Sequence, residues 1–185
     1  RTEVERIHQA LELAVGQIDE SITGLRRLVT DLRPAALDDL GLPAALEGLV
    51  ERVSETAGLK TTLRISLDGA GVGDDGDDDR AARLPEVVED SAYRIVQEAL
   101  TNVLRHAGPA RARIRVVYGE RDLIVEVDDD GAGAPAAEPS AAGAGAGLVG
   151  MRERAAALGG EVDAGPRDDA PGFRVRARLP AGSAA

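Results

Sequence analysis

Cysteine and tryptophan are absent from this 185-residue sequence, which has one phenylalanine, two tyrosines and one methionine. Without cysteine, disulfides and thiolate zinc sites are excluded, and a reducing compartment is unopposed. With aromatics at 2% against 43% hydrophobic residues, the core has to be assembled from Leu, Val, Ile and Ala. No apolar run reaches the roughly 18 residues of a membrane span, and no signal peptide is visible. Positive charge is also short: 22 Lys and Arg face 33 Asp and Glu, a formal net charge of −11. That sign argues against an unaided nucleic-acid or anionic-membrane surface. Any phosphate ligand must therefore be held locally, by backbone amides, a metal or a few basic side chains.

Residues 1–33 carry Val4, Ile7, Leu11, Ala14, Ile18, Ile22, Leu25, Val29 and Leu32 at alternating three- and four-residue steps, with one extra four-step after Ile18. This heptad seam with a stutter predicts a helical arm that seeks a partner helix. Pro34 ends it, because proline lacks the amide and disfavours a helical residue before it. Arg1 opens in mid-pattern, so further residues are expected upstream, with room there for membrane or sensor segments. The expected division is an arm, 1–34, and a globular domain, 35–185, long enough for one core.

Within the domain, Leu42–Ala57 reads as a helix stopped by Gly58, and Thr61–Leu67 as a strand with period-two alternation. Gly69–Asp79 is a Gly- and Asp-rich loop. Its Asp75, Asp77, Asp79 and Glu86 fall at calcium-loop positions, but Arg80 stands where that loop needs glycine, so a plain acidic loop is expected. Pro85 and Glu86 open a long helix to about Ala107. Strands are predicted near Ala112–Tyr118 and Leu123–Val127, then a flexible Ala/Gly/Pro/Ser stretch over 134–147. A helix Leu148–Leu158 and strands near Glu161–Ala164 and Phe173–Leu179 complete a two-layer α/β sandwich.

Three segments carry the chemistry. On the long helix, Glu98, Asn102, Arg105 and His106 share one face opposite apolar Val88, Ala92, Val96, Ala99 and Val103. An acid, an amide oxygen and two cationic or ionisable groups on one face can hold Mg²⁺ and phosphates together, although most polar helix faces are merely solvated. Next, the strand ending Val125-Glu126-Val127 runs into Asp128-Asp129-Asp130-Gly131-Ala132-Gly133. Glycines after a carboxylate allow a close backbone approach to a flat ligand, or make a common acidic turn. Last, Gly143-Ala144-Gly145-Ala146-Gly147-Leu148 feeds a helix N-terminus, where free amides favour anions. Gly145-x-Gly147-x-x-Gly150 imitates a dinucleotide fingerprint, but it follows a low-complexity loop instead of the strand that fingerprint requires.

In this order the three segments resemble the GHKL ATPases, and within them the histidine kinases. Gln97–His106 is similar to their N box, Asp130-Gly131-Ala132-Gly133 to the G1 box and Gly145-x-Gly147-Leu148 to G2. Leu32-Arg33-Pro34-Ala35-Ala36-Leu37-Asp38-Asp39-Leu40-Gly41-Leu42 and Gly150-Met151-Arg152-Glu153-Arg154 resemble the nitrate-sensor-like kinases, whose response regulators bear helix-turn-helix output domains.

The resemblance implies a Bergerat-type sandwich that binds ATP with Mg²⁺. It places Mg²⁺ on Asn102, phosphates on Arg105 and His106, and the adenine amino group on Asp130. Gly131 and Gly133 shape the base pocket, Gly145 and Gly147 let a lid, residues 134–147, close over the phosphates, and Leu148 completes the cofactor-binding G2 motif. Glu98 is the catalytic candidate, polarising a phosphoacceptor histidine. The implied protein is a cytoplasmic kinase part, dimeric in full length, relaying phosphate to a regulator aspartate and touching a membrane only through other segments. Two features depart from the family. Gly172-Phe173 stands where Gly-Thr is usual, and the His-Asp or His-Glu phosphoacceptor motif is missing. His8, followed by Gln9, lies one helix length before Pro34, which makes 1–33 the second hairpin helix and His8 a surface residue. An anti-sigma-factor serine kinase is disfavoured by the arm and its Leu-Arg-Pro junction. A non-catalytic signalling module is disfavoured by Glu98, Asn102 and Asp130.

Overall fold

The computed structural model describes residues 35–67, 84–108, 110–131 and 146–181. The expected arm with His8, the acidic loop with Asp75, Asp77 and Asp79, Gly133, Gly145 and most of the expected lid lie outside the described residues. The chain divides into two units, and all the described residues belong to the second, Ala35–Ala185.

A single turn, α1 (Ala35–Asp39), which the periodicity did not single out, is anchored by the fully buried Leu37. Helix α2 (Leu42–Ala57) has a proline in its first turn and buries Leu42, Ala45, Leu46 and Leu49, one stripe of a 3.6-residue repeat. Strand β1 (Lys60–Leu67) leads to α3 (Glu86–His106), which buries Val88, Ala92, Val96, Ala99 and Val103. Strands β2 (Arg111–Tyr118) and β3 (Asp122–Asp129) follow, then α4 (Ala146–Ala156), β4 (Glu161–Pro166) and β5 (Phe173–Pro180). Two of the boundaries that differ from expectation bear on the site. Strand β3 continues to Asp129, because Asp128 and Asp129 remain paired and buried despite their charge. Helix α4 begins at Ala146, so Ala146 and Gly147 belong to a helix and not to a loop.

The five strands form one mixed sheet in the order β1-β2-β3-β5-β4. Only β1 and β2 run parallel, with α3 in their connection; the other neighbours are antiparallel. Alternation divides the faces. One carries Ile114, Val116, Leu123, Val125, Val127, Val175, Ala177 and Leu179, all buried in the core shared with α2, α3 and α4. The other carries charge, with Arg174–Asp128, Arg176–Glu126 and Arg178–Asp122 pairs laid across β3 and β5. This is the two-layer sandwich read from the sequence.

Among the described residues the core has one polar flaw. Tyr118 closes β2 at 6% exposure, and its hydroxyl has no hydrogen-bond partner among the described residues. Burial, with the Glu89 carboxylate adding to it, pushes its pKa up to about 12. A buried hydroxyl without a partner costs about 1–3 kcal/mol. Tyr118→Phe is therefore expected to raise the unfolding free energy by about 1 kcal/mol at neutral pH, measured by urea denaturation. The protonated phenol is the form that folding favours. The wild type should accordingly lose stability as pH rises from about 10 towards 12, and the Phe variant should lose less. A variant less stable than wild type would show that the hydroxyl is satisfied.

Candidate functional site

The C-terminal half of α3 is the beam on which the candidate residues are mounted. Glu98 and Asn102 are half-buried, while Arg105 and His106 are exposed in the last turn. The Arg105 guanidinium there complements the helix dipole. Two glycines from distant segments press against this helix. A Cβ on Gly131, just after β3, would stand 2.5 Å from the Cβ and carbonyl oxygen of Ala107. A Cβ on Gly147, in the first turn of α4, would overlap Glu98 Oε1. Any side chain at 131 would meet backbone, so only glycine lets the β3 end lie on the helix; at 147 it would displace the Glu98 carboxylate. Two of the three segments singled out from sequence thus converge on the third. Leu148 packs, partly buried, against the core beside them.

The three consecutive aspartates after Val127 have separate fates. Asp128 lies on the charged face at 4% exposure and takes two bonds from Arg174, at 2.6 and 3.0 Å, with Arg113 4.0 Å away. That hydrogen-bonded pairing holds the Arg174 guanidinium above its ordinary range. Asp129 shares the parity of Leu123, Val125 and Val127 and so belongs to the helix-covered face, at 6% exposure. Its Oδ1 accepts from Gly131 N at 2.9 Å. Asp130 is exposed, and its Oδ1 accepts from Arg111 N at 2.6 Å while its own amide donates to Arg111 O at 3.2 Å. It borders a cavity of about 480 Å³ with Leu59, Lys60, Leu104, Gly108 and Arg111, which none of Glu98, Asn102, Arg105 or His106 lines. The residue expected to face the base is thus tied to β2 at the rim, and its neighbour occupies the buried position. Strand parity is the sequence signal that sets Asp129 on the helix-covered face.

Two further residues touch this strand end, Gly172, noted in the sequence where Gly-Thr is usual, and Arg167, which the sequence reading missed. Gly172 has φ +117° and packs on the Asp129 carbonyl, and Arg167 Nη1 donates to the same oxygen at 3.5 Å. Arg167 belongs to no recognisable pattern in the chain.

Among the described residues, no three His, Asp or Glu side chains converge on a metal-sized site. A magnesium ion that arrives with phosphates needs only one or two protein ligands, so the amide of Asn102, flanked by Glu98 and His106, fits that donor set. Among the described residues, no helix is long and apolar enough to cross a membrane.

Comparison with known proteins agrees with this geometry. Residues 87–183 match the family described as Histidine kinase-, DNA gyrase B-, and HSP90-like ATPase. The sensor histidine kinase MctS of Rhizobium johnstonii is 34% identical over 157 residues, covering 84% of this chain and 32% of that protein. The signal transduction histidine-protein kinase/phosphatase DegS of Brevibacillus brevis is 33% identical over 145 residues, covering 78% and 34%. The chain therefore spans about a third of the length of these relatives. Among solved structures, the histidine kinase domain of the Erythrobacter litoralis EL346 blue-light activated histidine kinase shares the fold with a TM-score of 0.52. It is 21% identical, over 76% of this chain and 61% of that one. With a helix bearing Asn102, glycines of two other segments pressed on it and a family match over residues 87–183, the chain belongs to the histidine kinase-, DNA gyrase B- and HSP90-like ATPases.

Proposed function

We propose that this chain is the ATP-binding catalytic part of a sensor histidine kinase, in which α3, the β3 end and the start of α4 enclose the nucleotide. The observation that carries the proposal is the double approach of Gly131 to Ala107 and Gly147 to Glu98, which brings all three segments to one helix. In this proposal the base-reading carboxylate is Asp129 and not Asp130. Asp129 is buried, on the helix side and next to Gly131, whereas the Asp130 side chain is exposed and engaged by Arg111. Asn102 would hold Mg²⁺, which supplies charge neutralisation at the phosphates. Arg105 and His106, exposed at the helix end, contact phosphate oxygens, and Glu98 polarises the acceptor imidazole. Gly133 and Gly145 extend the pocket and the lid on sequence grounds. Catalysis is then chiefly positioning of the γ-phosphoryl group, which passes to a histidine and onward to a response-regulator aspartate.

In the full protein the partner would be a regulator with a helix-turn-helix output domain, as in nitrate-sensor-like kinases. Residues 1–34 would be the second helix of the dimerisation and phosphotransfer hairpin, in a cytoplasmic part of the protein. Calorimetric titration with a non-hydrolysable ATP analogue tests the reading. One nucleotide per chain should bind with Mg²⁺ present, and Asn102→Ala should lose most of the difference between titrations with and without Mg²⁺. No binding heat under either condition would reject it.

A further inference from the structure

Asp129 sits where the pairing of β3 with β5 stops. The last register pair is Asp128 with Arg174, and beyond it the Asp129 carbonyl meets the β4–β5 turn instead of a strand. A buried carbonyl left at a ladder end needs a donor from elsewhere. Arg167 Nη1 supplies it at 3.5 Å. The guanidinium that does so is held in place. Its side chain is 8% exposed, its Nε and Nη2 donate to Asp169 at 3.2 and 2.8 Å, and its backbone amide donates to Gly172 O at 3.1 Å. Asp169 lies 3.6 Å from Arg174, which grips Asp128 with two bonds. The turn therefore makes a chain of alternating charge, Arg167–Asp169–Arg174–Asp128, with its two ends on adjacent residues of β3.

The sheet does not need this chain for cohesion, since β3 and β5 already pair over seven register positions. What the chain adds is a defined peptide orientation at Asp129. An aspartate has a short side chain, and one oxygen of Asp129 is already committed to Gly131 N. The direction of the other oxygen therefore follows the backbone. A planar guanidinium can satisfy a carboxylate and a carbonyl at once, which an ammonium point charge cannot do with the same geometry.

We propose that Arg167 is a positioning residue for nucleotide binding, holding the Asp129 carbonyl so that the Asp129 carboxylate faces the base. The proposal rests on the reading of Asp129 as the base-reading group. The test uses the 185-residue chain and compares affinities for non-hydrolysable ATP and GTP analogues, with thermal melts alongside. Arg167→Ala should weaken the ATP analogue about fivefold, leave the GTP analogue almost unchanged and so lower the ratio about fivefold. Arg167→Lys should keep the wild-type melt yet lose most of the ratio, and it decides the matter if the alanine variant does not fold. Arg178→Ala, which breaks the exposed Arg178–Asp122 pair at the other end of β5, should change neither ligand. A ratio unchanged in both Arg167 variants, while Asp129→Asn collapses it, overturns the positioning role and spares the reading of Asp129. A ratio unchanged in Asp129→Asn overturns that reading and this proposal together. Equal losses in the Arg167 variants and Arg178→Ala would mean general loosening of the sheet, and would overturn the positioning role as well.

Discussion

Asp129→Asn is expected to weaken binding of a non-hydrolysable ATP analogue at least about tenfold, whereas Asp130→Asn should leave it within about twofold. Adenine presents an amino donor at its six position, and a carboxylate offers acceptors only. Guanine presents a carbonyl there, so two acceptors would oppose each other. A buried polar group left unpaired costs about 1–3 kcal/mol, and tenfold in affinity needs only about 1.4 kcal/mol. That penalty falls only on a carboxylate kept out of water. Asp129 is 6% exposed, while Asp130 is exposed and already accepts from Arg111 N. The asparagine at 129 can turn its amide donor towards the guanine carbonyl, so preference for ATP over GTP should narrow along with affinity. At 130 an asparagine oxygen can keep the Arg111 contact, and little should change. Competition binding with both nucleotides distinguishes the two positions. If the ratio moves with Asp130→Asn and stays put with Asp129→Asn, the rim aspartate reads the base after all.

Gly172→Ala should cost about 3 kcal/mol of stability, near the upper end for overpacking and forced backbone strain. The residue combines φ +117° with a position where a Cβ would overlap the Asp129 carbonyl oxygen and lie 3.1 Å from Asp130 Cα. The first condition disfavours any L side chain, and the second leaves no room, since both neighbours are backbone. For a chain of this size the loss corresponds to a fall in Tm of roughly 6–12 °C. Gly150→Ala supplies the contrast. It lies inside α4 with nothing within 4 Å of the added Cβ, so the same methyl should stabilise by about 0.5–1 kcal/mol. Chemical denaturation of both variants checks the pair. A Gly172→Ala protein as stable as wild type would show that the β4–β5 turn does not bear on the β3 end as described.

The residues near Asp129 mark the line between what local sequence determines and what folding decides. The apolar stripes of Leu42–Leu49 and Val88–Val103, and the alternation of Ile114–Val116 and Leu123–Val127, act over one turn or one strand. Helix, strand and two-layer class were therefore legible, as was the polar face Glu98–Asn102–Arg105–His106, since its spacing is a property of the helix itself. The end of β3 was misread because polarity at Asp128 and Asp129 looks like a turn. Only neighbouring strands show that Asp128 is paired by Arg174 and that Asp129 faces the helices. Which of three adjacent aspartates is buried against the helices, and that Gly147 touches Glu98, depend on contacts between residues far apart in the chain. The same holds for Arg167, whose partner Asp129 is 38 positions away and whose setting has no motif. By itself the sequence determined the elements and the family, because hydrophobic periodicity and glycine placement act locally. The tertiary structure alone decided which carboxylate is buried on the helix side and what lies against it, because burial and pairing at a strand end are set by whichever segments fold against it.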